Sequence, residues 1–245
     1  MAIHYRTQGF ILKKTDRGEA DQILTIYTKD FGKLEILGKA IRKIKSKLRS
    51  GADLFYFSEI EFIQGKAYKT LTDAILIEKF KNLRNDLTRL EIVNQIAQVL
   101  DNLIRGQEKD DQVWNLLEEI FKKLNNLQLT TYNLQLVYHY FLWNFLSILG
   151  YQIDLYNCAL CQKKLSPRKL SFKPQEGGII CFECHRKIKK GEKISPEVIK
   201  ISRLFLKKDW DTLLRLKVDK DYKNSLELIS QDYLSFYKQT VYSNN

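Results

Sequence analysis

Four cysteines in two close pairs constrain the fold of this chain more than any other feature of its sequence. Cys158 and Cys161 form one C-x2-C pair, Cys181 and Cys184 form a second, and 19 residues separate the two pairs. Two thiolates three residues apart on a tight turn can hold one metal ion, and two such turns complete a tetrahedron. The spacing therefore predicts a Zn²⁺ site with all four cysteines as ligands. Four sulfur ligands leave no open position for water, so we expect a structural site and not a catalytic one.

Other interpretations of the cysteines stay open at this point. The thiols could pair as disulfide bonds, hold an iron–sulfur cluster or stay free, and His185 could replace its neighbour Cys184 as a ligand. The N-terminal residues lack the charged start, apolar run and cleavage site of a secretion signal, so we expect a cytoplasmic protein, in which disulfides are rare. Unrelated cysteines would rarely show a doubled spacing. Zinc is the interpretation that the pattern favours.

The composition indicates a globular protein with a polyanionic partner. Of the 245 residues, 44% are hydrophobic and 12% aromatic, enough for a core in one or two domains, with a small third domain as an option. The stretch closest to a membrane span, residues 134–151, carries several polar side chains, so no membrane span is expected. Lysine and arginine total 41 against 29 acidic residues, a net charge of +12. This excess favours nucleic acid or an acidic membrane surface as the partner.

Residues 1–80 predict a small β-barrel. Short segments rich in Ile, Leu, Phe, Tyr and Thr are separated by turn signals such as Asp16-Arg17-Gly18. We expect five strands, at residues 5–14, 20–28, 33–39, 55–63 and 67–79. Five strands in so short a segment fit an OB-fold, and a small SH3-like barrel would fit the same pattern.

The rest of the chain, residues 81–245, predicts a helical domain with an inserted module. Apolar residues recur there at three- and four-residue steps, and Asp110 or Asp111 can cap the second helix. We expect helices at residues 90–104, 113–124, 131–149 and 221–241. The third of these is apolar on nearly all sides, which is typical of the central helix of a bundle. Residues 154–194 hold all four cysteines and form the predicted zinc module.

Six basic residues lie within eleven positions that contain no acidic residue. This basic run, which borders the third predicted strand, consists of Lys39, Arg42, Lys43, Lys45, Lys47 and Arg49. Lysine and arginine neutralise backbone phosphates, so the run predicts a DNA-binding surface, with a solvated loop as the alternative. Phe55, Tyr56 and Phe57 could stack on bases, but their alternation favours positions in the barrel core.

No catalytic site is expected. The sequence contains no glycine-rich phosphate loop and only three histidines, of which His139 lies in the helix expected at the centre of the bundle. No Ser/His/Asp or Cys/His arrangement can be assembled from the remaining residues. The sequence therefore favours a binding protein over an enzyme.

Several segments carry a pattern beyond periodicity. They are YRTQGFIL at residues 5–12, GEADQILT at 18–25, FGKL at 31–34 and the basic stretch KAIRKIKSK at 39–47, followed by Leu149-Gly150-Tyr151 and Gly177-Gly178 ahead of the two cysteine pairs. In this order they resemble the bacterial recombination protein O (RecO) family over most of the chain. That family usually has glycine where Ala40 stands and often proline where Ile44 stands, and zinc is not universal in it.

The resemblance implies an N-terminal OB-fold, a helical domain and an inserted zinc module. It further implies a recombination mediator that binds single- and double-stranded DNA and anneals complementary strands. Such proteins work with RecR and with the single-stranded-DNA-binding protein, and help to load RecA onto coated DNA in the bacterial cytoplasm, at the nucleoid during repair.

Two other functions stay open from the residues themselves. One is an enzyme that modifies nucleic acid with the help of zinc, which an open metal position would favour. The other is an RNA-binding or ribosome-associated barrel protein, which a preference for RNA over single-stranded DNA of equal length would favour.

Overall fold

The computed structural model describes residues 3–65, 67–126, 131–188, 191–216 and 219–243. The chain divides into two compact units, a first unit Met1–Gln128 and a second unit Leu129–Asn245. The division predicted from the sequence, at residue 80 with an insert at 154–194, stays a prediction. In space, the helices between residue 80 and the end of the first unit belong with the barrel.

The first unit is built on a closed five-stranded barrel. Its strands are β1 (His4–Arg17), β2 (Asp21–Thr28), β3 (Gly32–Gly38), β4 (Phe57–Gln64) and β5 (Lys69–Glu78). They follow the order β1-β2-β3-β5-β4, and β4 pairs with β1 to close the barrel. Every pair is antiparallel except β3 with β5. The predicted OB-fold is confirmed, and the five expected strands lie within a few residues of their observed bounds.

Branched and aromatic side chains from all five strands fill the barrel. The buried cluster comprises Ile11, Leu24, Ile26, Leu34, Ile36, Ile41, Ala52, Ile60, Phe62, Leu71 and Ala74. Gly9 lets two strands approach closely, because a Cβ there would lie 2.6 Å from the Ile26 side chain. The strand residues that point inward are thus the ones that alternate with polar residues in the sequence.

Three helices complete the first unit: α1 (Lys81–Arg84), α2 (Leu87–Leu103) and α3 (Asp111–Asn126). The Asp86 side chain caps α2 by accepting hydrogen bonds from the Thr88 and Arg89 backbone N–H groups at 2.9 and 3.2 Å. Asp110 caps α3 in the same way, as the sequence predicts, through the N–H groups of the second and third residues after it. Both caps satisfy donors that a helix start leaves unpaired.

An aromatic cluster joins the helices to the outside of the barrel. Phe10 of β1 is fully buried, and its ring lies 4.8 Å from Phe57, 6.3 Å from Phe80, 5.2 Å from Trp114 and 4.7 Å from Phe121, measured between centroids. These five residues form the Phe10 cluster. Because they come from two strands, the start of α1 and α3, they make the barrel and helices one packed body.

An ion pair fixes α2 against the same barrel. Asp101 of α2 accepts a hydrogen bond from Lys13 of β1 at 2.8 Å and lies 3.3 Å from the Lys33 ammonium of β3. Burial acts to raise the pKa of Asp101, but the hydrogen bond from Lys13 and the charge of Lys33 outweigh it, so the pKa lies below its ordinary value.

Replacing Asp101 with asparagine is expected to lower the free energy of unfolding by about 1 kcal/mol at pH 7. The folded-state pKa is depressed, so this stabilisation is present above the unfolded pKa of about 4 and is lost as the pH falls through the folded value. Urea denaturation of D101N and wild type between pH 7 and pH 3 tests this. The unfolding free energies of D101N and wild type should converge as the pH falls. The control Glu91→Gln, an exposed change on the same helix, should show no such convergence with wild type. A D101N deficit that stays constant with pH would contradict the ionic origin.

The second unit surrounds one buried helix. This helix, α4 (Thr131–Ile148), packs against α6 (Pro196–Lys207), α7 (Trp210–Arg215) and α8 (Lys220–Ser243). Its His139 is buried, with Nδ1 3.0 Å from Ser230 Oγ and Nε2 3.3 Å from the Glu227 carboxylate. The expected central helix is confirmed, and His139 is a hydrogen-bonded core residue.

The cysteines lie in a small sheet-containing segment of the second unit. It comprises β6 (Leu170–Lys173), β7 (Gly178–Ile180), α5 (Phe182–Ile188) and β8 (Glu192–Ile194). The sheet has the order β7-β6-β8 with antiparallel pairs. We call residues 154–194 the cysteine module. Among the helices of the described ranges, none has both the length and the apolar character needed to cross a membrane.

Candidate metal centre and nucleic-acid interface

The four cysteine sulfurs converge on one point. The Sγ atoms of Cys158, Cys161, Cys181 and Cys184 all lie within 4.8 Å of one another, and those of Cys161 and Cys181 are 3.8 Å apart. Four ligands at the Zn–S distance of about 2.3 Å define a tetrahedron with edges of about 3.8 Å. The observed separations therefore fit a single tetrahedral ion, and the four cysteines could hold one metal.

Local backbone hydrogen bonds shape the first cysteine turn. The Cys158 N–H donates to the Lys163 carbonyl at 2.8 Å, and the Gln162 N–H donates to the Cys158 carbonyl at 2.9 Å. Gln162 adopts a left-handed conformation with φ of 59°. The turn thereby brings two thiols three residues apart to the same side of the chain.

The second turn uses the start of a helix. Cys181 directly precedes α5, and its carbonyl accepts the first helical hydrogen bond from the His185 N–H at 2.9 Å. The two turns are joined by the Ala159 N–H, which donates to the Ile179 carbonyl at 2.8 Å. The sheet of the module thus sets the distance between the two pairs of ligands.

The electrostatics of the cluster favour thiolate at its buried position. Burial acts to raise the pKa of the Cys158 thiol, but backbone N–H groups, including that of Cys181 at 3.4 Å, outweigh it and lower the pKa to about 6. Burial and the neighbouring thiols raise the pKa of Cys184 to about 12. A bound divalent ion would supply positive charge that favours the thiolate form of its ligands.

His185, the alternative ligand, lies outside this group of four. It lines a neighbouring pocket, and its Nδ1 is buried with no hydrogen-bond partner among the described residues. The structure therefore supports the four cysteines, without His185, as the candidate ligand set.

The basic run lies on the surface between β3 and β4. All six of its side chains are exposed, and it ends in a short 3-10 helix at Lys47–Ser50. Among the described residues, Arg42 alone of the six has an ion-pair partner, the Asp16 carboxylate at 3.2 Å. The structure brings the predicted residues into one continuous cationic loop.

Buried contacts hold this loop against the barrel. Ile41 is 1% exposed and belongs to the barrel core. At the end of the run, a Cβ on Gly51 would overlap the Ala74 carbonyl of β5, so the backbone there touches the strand directly. The basic side chains are therefore presented on a backbone with fixed attachment at both ends.

A polar pocket of about 290 Å³ lies beside the run. Besides Arg42 and Arg49, it is lined by Lys14, Gln22 and Asp53. None of these three residues belongs to the predicted DNA-binding set: Lys14 and Gln22 lie on the paired strands β1 and β2, distant from the run in sequence, and Asp53 follows the run by four positions. Only Asp53 could have been suspected from the sequence, because it is close to the run along the chain.

The aromatic residues near the run belong mainly to the core. Phe55 is 2% exposed, as its alternation predicts, and the half-buried Phe57 lies in the Phe10 cluster. The half-buried Tyr56 ring has the Arg84 guanidinium 4.6 Å from its centre. The core interpretation is thus confirmed for Phe55.

Comparison with known proteins agrees with this architecture in both halves. A family model described as the N terminal of recombination protein O matches residues 1–80, and one described as its C terminal matches residues 84–240. The chain belongs to the recombination protein O family.

Proteins called DNA repair protein RecO align with this family member over nearly its whole length. One of those from Dehalococcoides mccartyi strains is 32% identical over 232 residues, which cover 95% of this chain and 90% of that protein. The one from Moorella thermoacetica is 30% identical, covering 95% of this chain and 86% of that protein. The one from Thermoanaerobacter is 28% identical, covering 94% and 90%.

The departure of this RecO family chain at Ala40 has a structural consequence. Ala40 adopts a left-handed backbone with φ of 52°, the conformation that glycine takes most readily. Its N–H donates to the Asp21 carboxylate at 2.7 Å, and the Arg42 N–H donates to the Ala20 carbonyl at 3.0 Å. These bonds hold the turn, while Ile44 is exposed within the basic run.

Proposed function

We propose that this chain is a DNA repair and recombination mediator that binds single- and double-stranded DNA and anneals complementary strands. The observation that carries the proposal is the exposed basic run on an OB-fold barrel, in a chain of the RecO family. OB-folds present grooves and loops to nucleic acids, and lysine and arginine supply the sequence-independent affinity that such a role needs.

The physical task of annealing is to bring two polyanions together. The side chains of the basic run displace counterions from the phosphates and so lower the repulsion between the strands. Five of the six have no ion-pair partner among the described residues, so their charge is available to DNA. Binding should weaken steeply with salt and depend little on sequence.

We further propose that the metal is Zn²⁺ and that its role is structural. Soft thiolates in a tetrahedral set of four suit zinc, and such a site leaves no position for a reacting water. The cysteines would hold the ion, and the three-stranded sheet and α5 of the module would keep their shape through it. No step of DNA binding is assigned to the metal itself.

The family membership supports a proposal for the partners and the location. We propose that the protein acts with RecR and the single-stranded-DNA-binding protein and helps to load RecA onto coated DNA, in the cytoplasm at the nucleoid. The expected absence of catalytic residues and of membrane attachment stays a prediction. The alternatives, an RNA-binding barrel protein and a nucleic-acid-modifying enzyme, are outcomes of the test that follows.

Replacing Arg42, Lys43, Lys45 and Lys47 with alanine is expected to slow strand annealing by more than about tenfold and to lower the salt slope of single-strand binding by about 3. Labelled complementary oligonucleotides, mixed without nucleotide or Mg²⁺, measure the rate. The matched control replaces four other exposed lysines of the first unit with alanine, Lys29, Lys79, Lys81 and Lys109, which removes the same charge elsewhere.

The outcomes separate the function from the surface. If wild type anneals DNA and only the basic-run variant fails, both are supported. If both variants lose the same activity, net charge and not the run is responsible. If wild type neither binds nor anneals DNA but binds RNA of equal length, the RNA-binding alternative replaces the proposal. Cleavage or modification of the oligonucleotides in a second reaction with added Mg²⁺ would indicate an enzyme.

A further inference from the structure

A pocket with apolar walls and cationic residues at its edge lies in the second unit, where the cysteine module meets the start of α8. Its volume is about 610 Å³. Its wall includes Lys169, Leu170, Phe182, Lys193, Ile194 and Tyr222. The pocket is therefore built from one strand end, one short helix, a second strand and a neighbouring helix, and two of its walls are aromatic.

Cations stand directly beside one of these aromatic rings. The Lys169 ammonium lies 5.2 Å from the centre of the Phe182 ring, and the Arg186 guanidinium lies 5.9 Å from it. Phe182 and Tyr222 are both half-buried, so part of each ring stays accessible. A flat ring flanked by cations is the arrangement by which proteins hold single-stranded nucleic acid without reading its sequence.

The module around the pocket carries more basic than acidic residues, and ion pairs engage two of its four acidic side chains. Glu176 pairs with Lys173 at 2.8 Å and Glu183 with Arg186 at 3.9 Å, and Asp221 is the acidic residue on the pocket wall. Six exposed cations of the module have no ion-pair partner among the described residues: Lys163, Lys164, Arg168, Lys169, Lys187 and Lys193. A polyanion is the ligand that this charge favours.

We propose that this pocket binds an unpaired base of single-stranded DNA, with the adjoining phosphates at Lys169 and Lys193. The base would stack against Tyr222. A base in a duplex is paired and stacked on its neighbours, so it cannot enter without being flipped out. The pocket therefore selects single strands. This inference rests on the proposed function, which it extends to a second surface.

The consequence concerns annealing. The basic run lies on the first unit and this pocket on the second, so one chain would carry two separate contacts for DNA. Two contacts allow one molecule to hold two strands at once, or to hold one strand with an effective concentration that favours capture of another.

The test measures single-strand binding in the background of the basic-run variant, so that the remaining affinity reports on the second unit. Fluorescence anisotropy with labelled oligothymidylate should show residual binding. Adding Lys169→Ala and Lys193→Ala is expected to weaken it by about tenfold more than adding Lys163→Ala and Lys164→Ala, which remove the same charge from outside the pocket.

A second variant tests stacking without changing the charge. Tyr222→Ala should weaken binding of the single strand by about tenfold and leave binding of a duplex unchanged, whereas Tyr222→Phe should keep wild-type affinity. Zinc content and far-ultraviolet circular dichroism of each variant establish that it is folded.

Several results would overturn the inference. They are equal effects of the two lysine pairs, an equal loss for duplex and single strand, an unaffected Tyr222→Ala, and a basic-run variant that binds no single strand at all. A pocket variant that keeps DNA affinity but loses binding to an acidic peptide would assign the pocket to protein recognition instead. In all of these cases the proposed function stands if wild type anneals DNA, and it fails separately if wild type binds none.

Discussion

Replacing Cys158 with serine is expected to abolish the binding of one zinc ion per chain and to unfold the cysteine module. Cys158 is fully buried, and the surrounding backbone N–H groups lower the pKa of its thiol. Serine cannot supply a thiolate, and binding of a structural zinc ion by four ligands contributes about 10–16 kcal/mol in small zinc-finger peptides. A module with three strands of three or four residues has little core to replace that contribution.

The measurement combines zinc analysis with hydrogen exchange. Wild type should contain one zinc ion per chain, and C158S should contain none and lose protection in β6 and β7. Strands of the first unit should keep their protection, because they belong to a separate compact unit. Ser166→Ala, an exposed change in the same module, is the control. Full zinc occupancy in C158S would contradict the ligand assignment, and unchanged exchange without zinc would contradict the structural role.

The convergence of the four cysteines could be predicted from the sequence because the geometry of each pair is local. Two thiols three residues apart already supply half of a tetrahedral set, so the spacing alone predicts which four side chains come together. What the spacing does not contain is the position of His185, which lines a separate pocket and lies outside the group of four sulfurs. The pocket itself needs a residue of α8, about forty positions later, and no local pattern links Tyr222 to Phe182.

The barrel strands were predictable for a similar reason, and their surroundings were not. Alternation of apolar and polar residues follows from a strand with one face buried. Phe10, Ile11 and Leu12 break the alternation because all three are buried, on a strand with a register shift between Ile11 and Lys13. Such a run of buried residues indicates that both faces of the strand are covered, but it does not identify the element that covers the outer face. The answer, α3, comes from a hundred residues further along the chain.

The basic run shows a third limit of prediction from the sequence. Its charge is evident from the sequence, and its shape depends on contacts that the sequence does not display. The Asp21 carboxylate on β2 accepts a hydrogen bond from the Ala40 N–H, and the Ile41 side chain lies in the barrel core. These two contacts attach the start of the loop to the barrel. Charge composition predicts what a surface attracts, while distant hydrogen bonds decide how it is presented.

Replacing Phe10 with alanine is expected to lower the free energy of unfolding of the first unit by about 3–5 kcal/mol. The ring is fully buried and contacts four other aromatic side chains, so its removal leaves a cavity whose walls cannot close without moving α3. Both the transfer of the ring from water and the ring–ring contacts are lost. Phe10→Leu keeps most of the volume and should cost less than about 1.5 kcal/mol.

The effect should be confined to the first unit, which distinguishes a local packing loss from general misfolding. Urea denaturation with hydrogen exchange as the readout should show that β1 and α3 open at lower urea concentration in F10A than in wild type, with α4 unchanged. Leu87→Ala, at a side chain that is 84% exposed on α2, should stay within about 0.5 kcal/mol of wild type because nothing is buried there. Equal stability of F10A and L87A would mean that the barrel and the helices do not depend on the Phe10 cluster. If F10A loses stability and its barrel strands open together with α3, the Phe10 cluster supports the barrel that carries the basic run. The same variant should then also bind DNA more weakly at temperatures where the first unit begins to open.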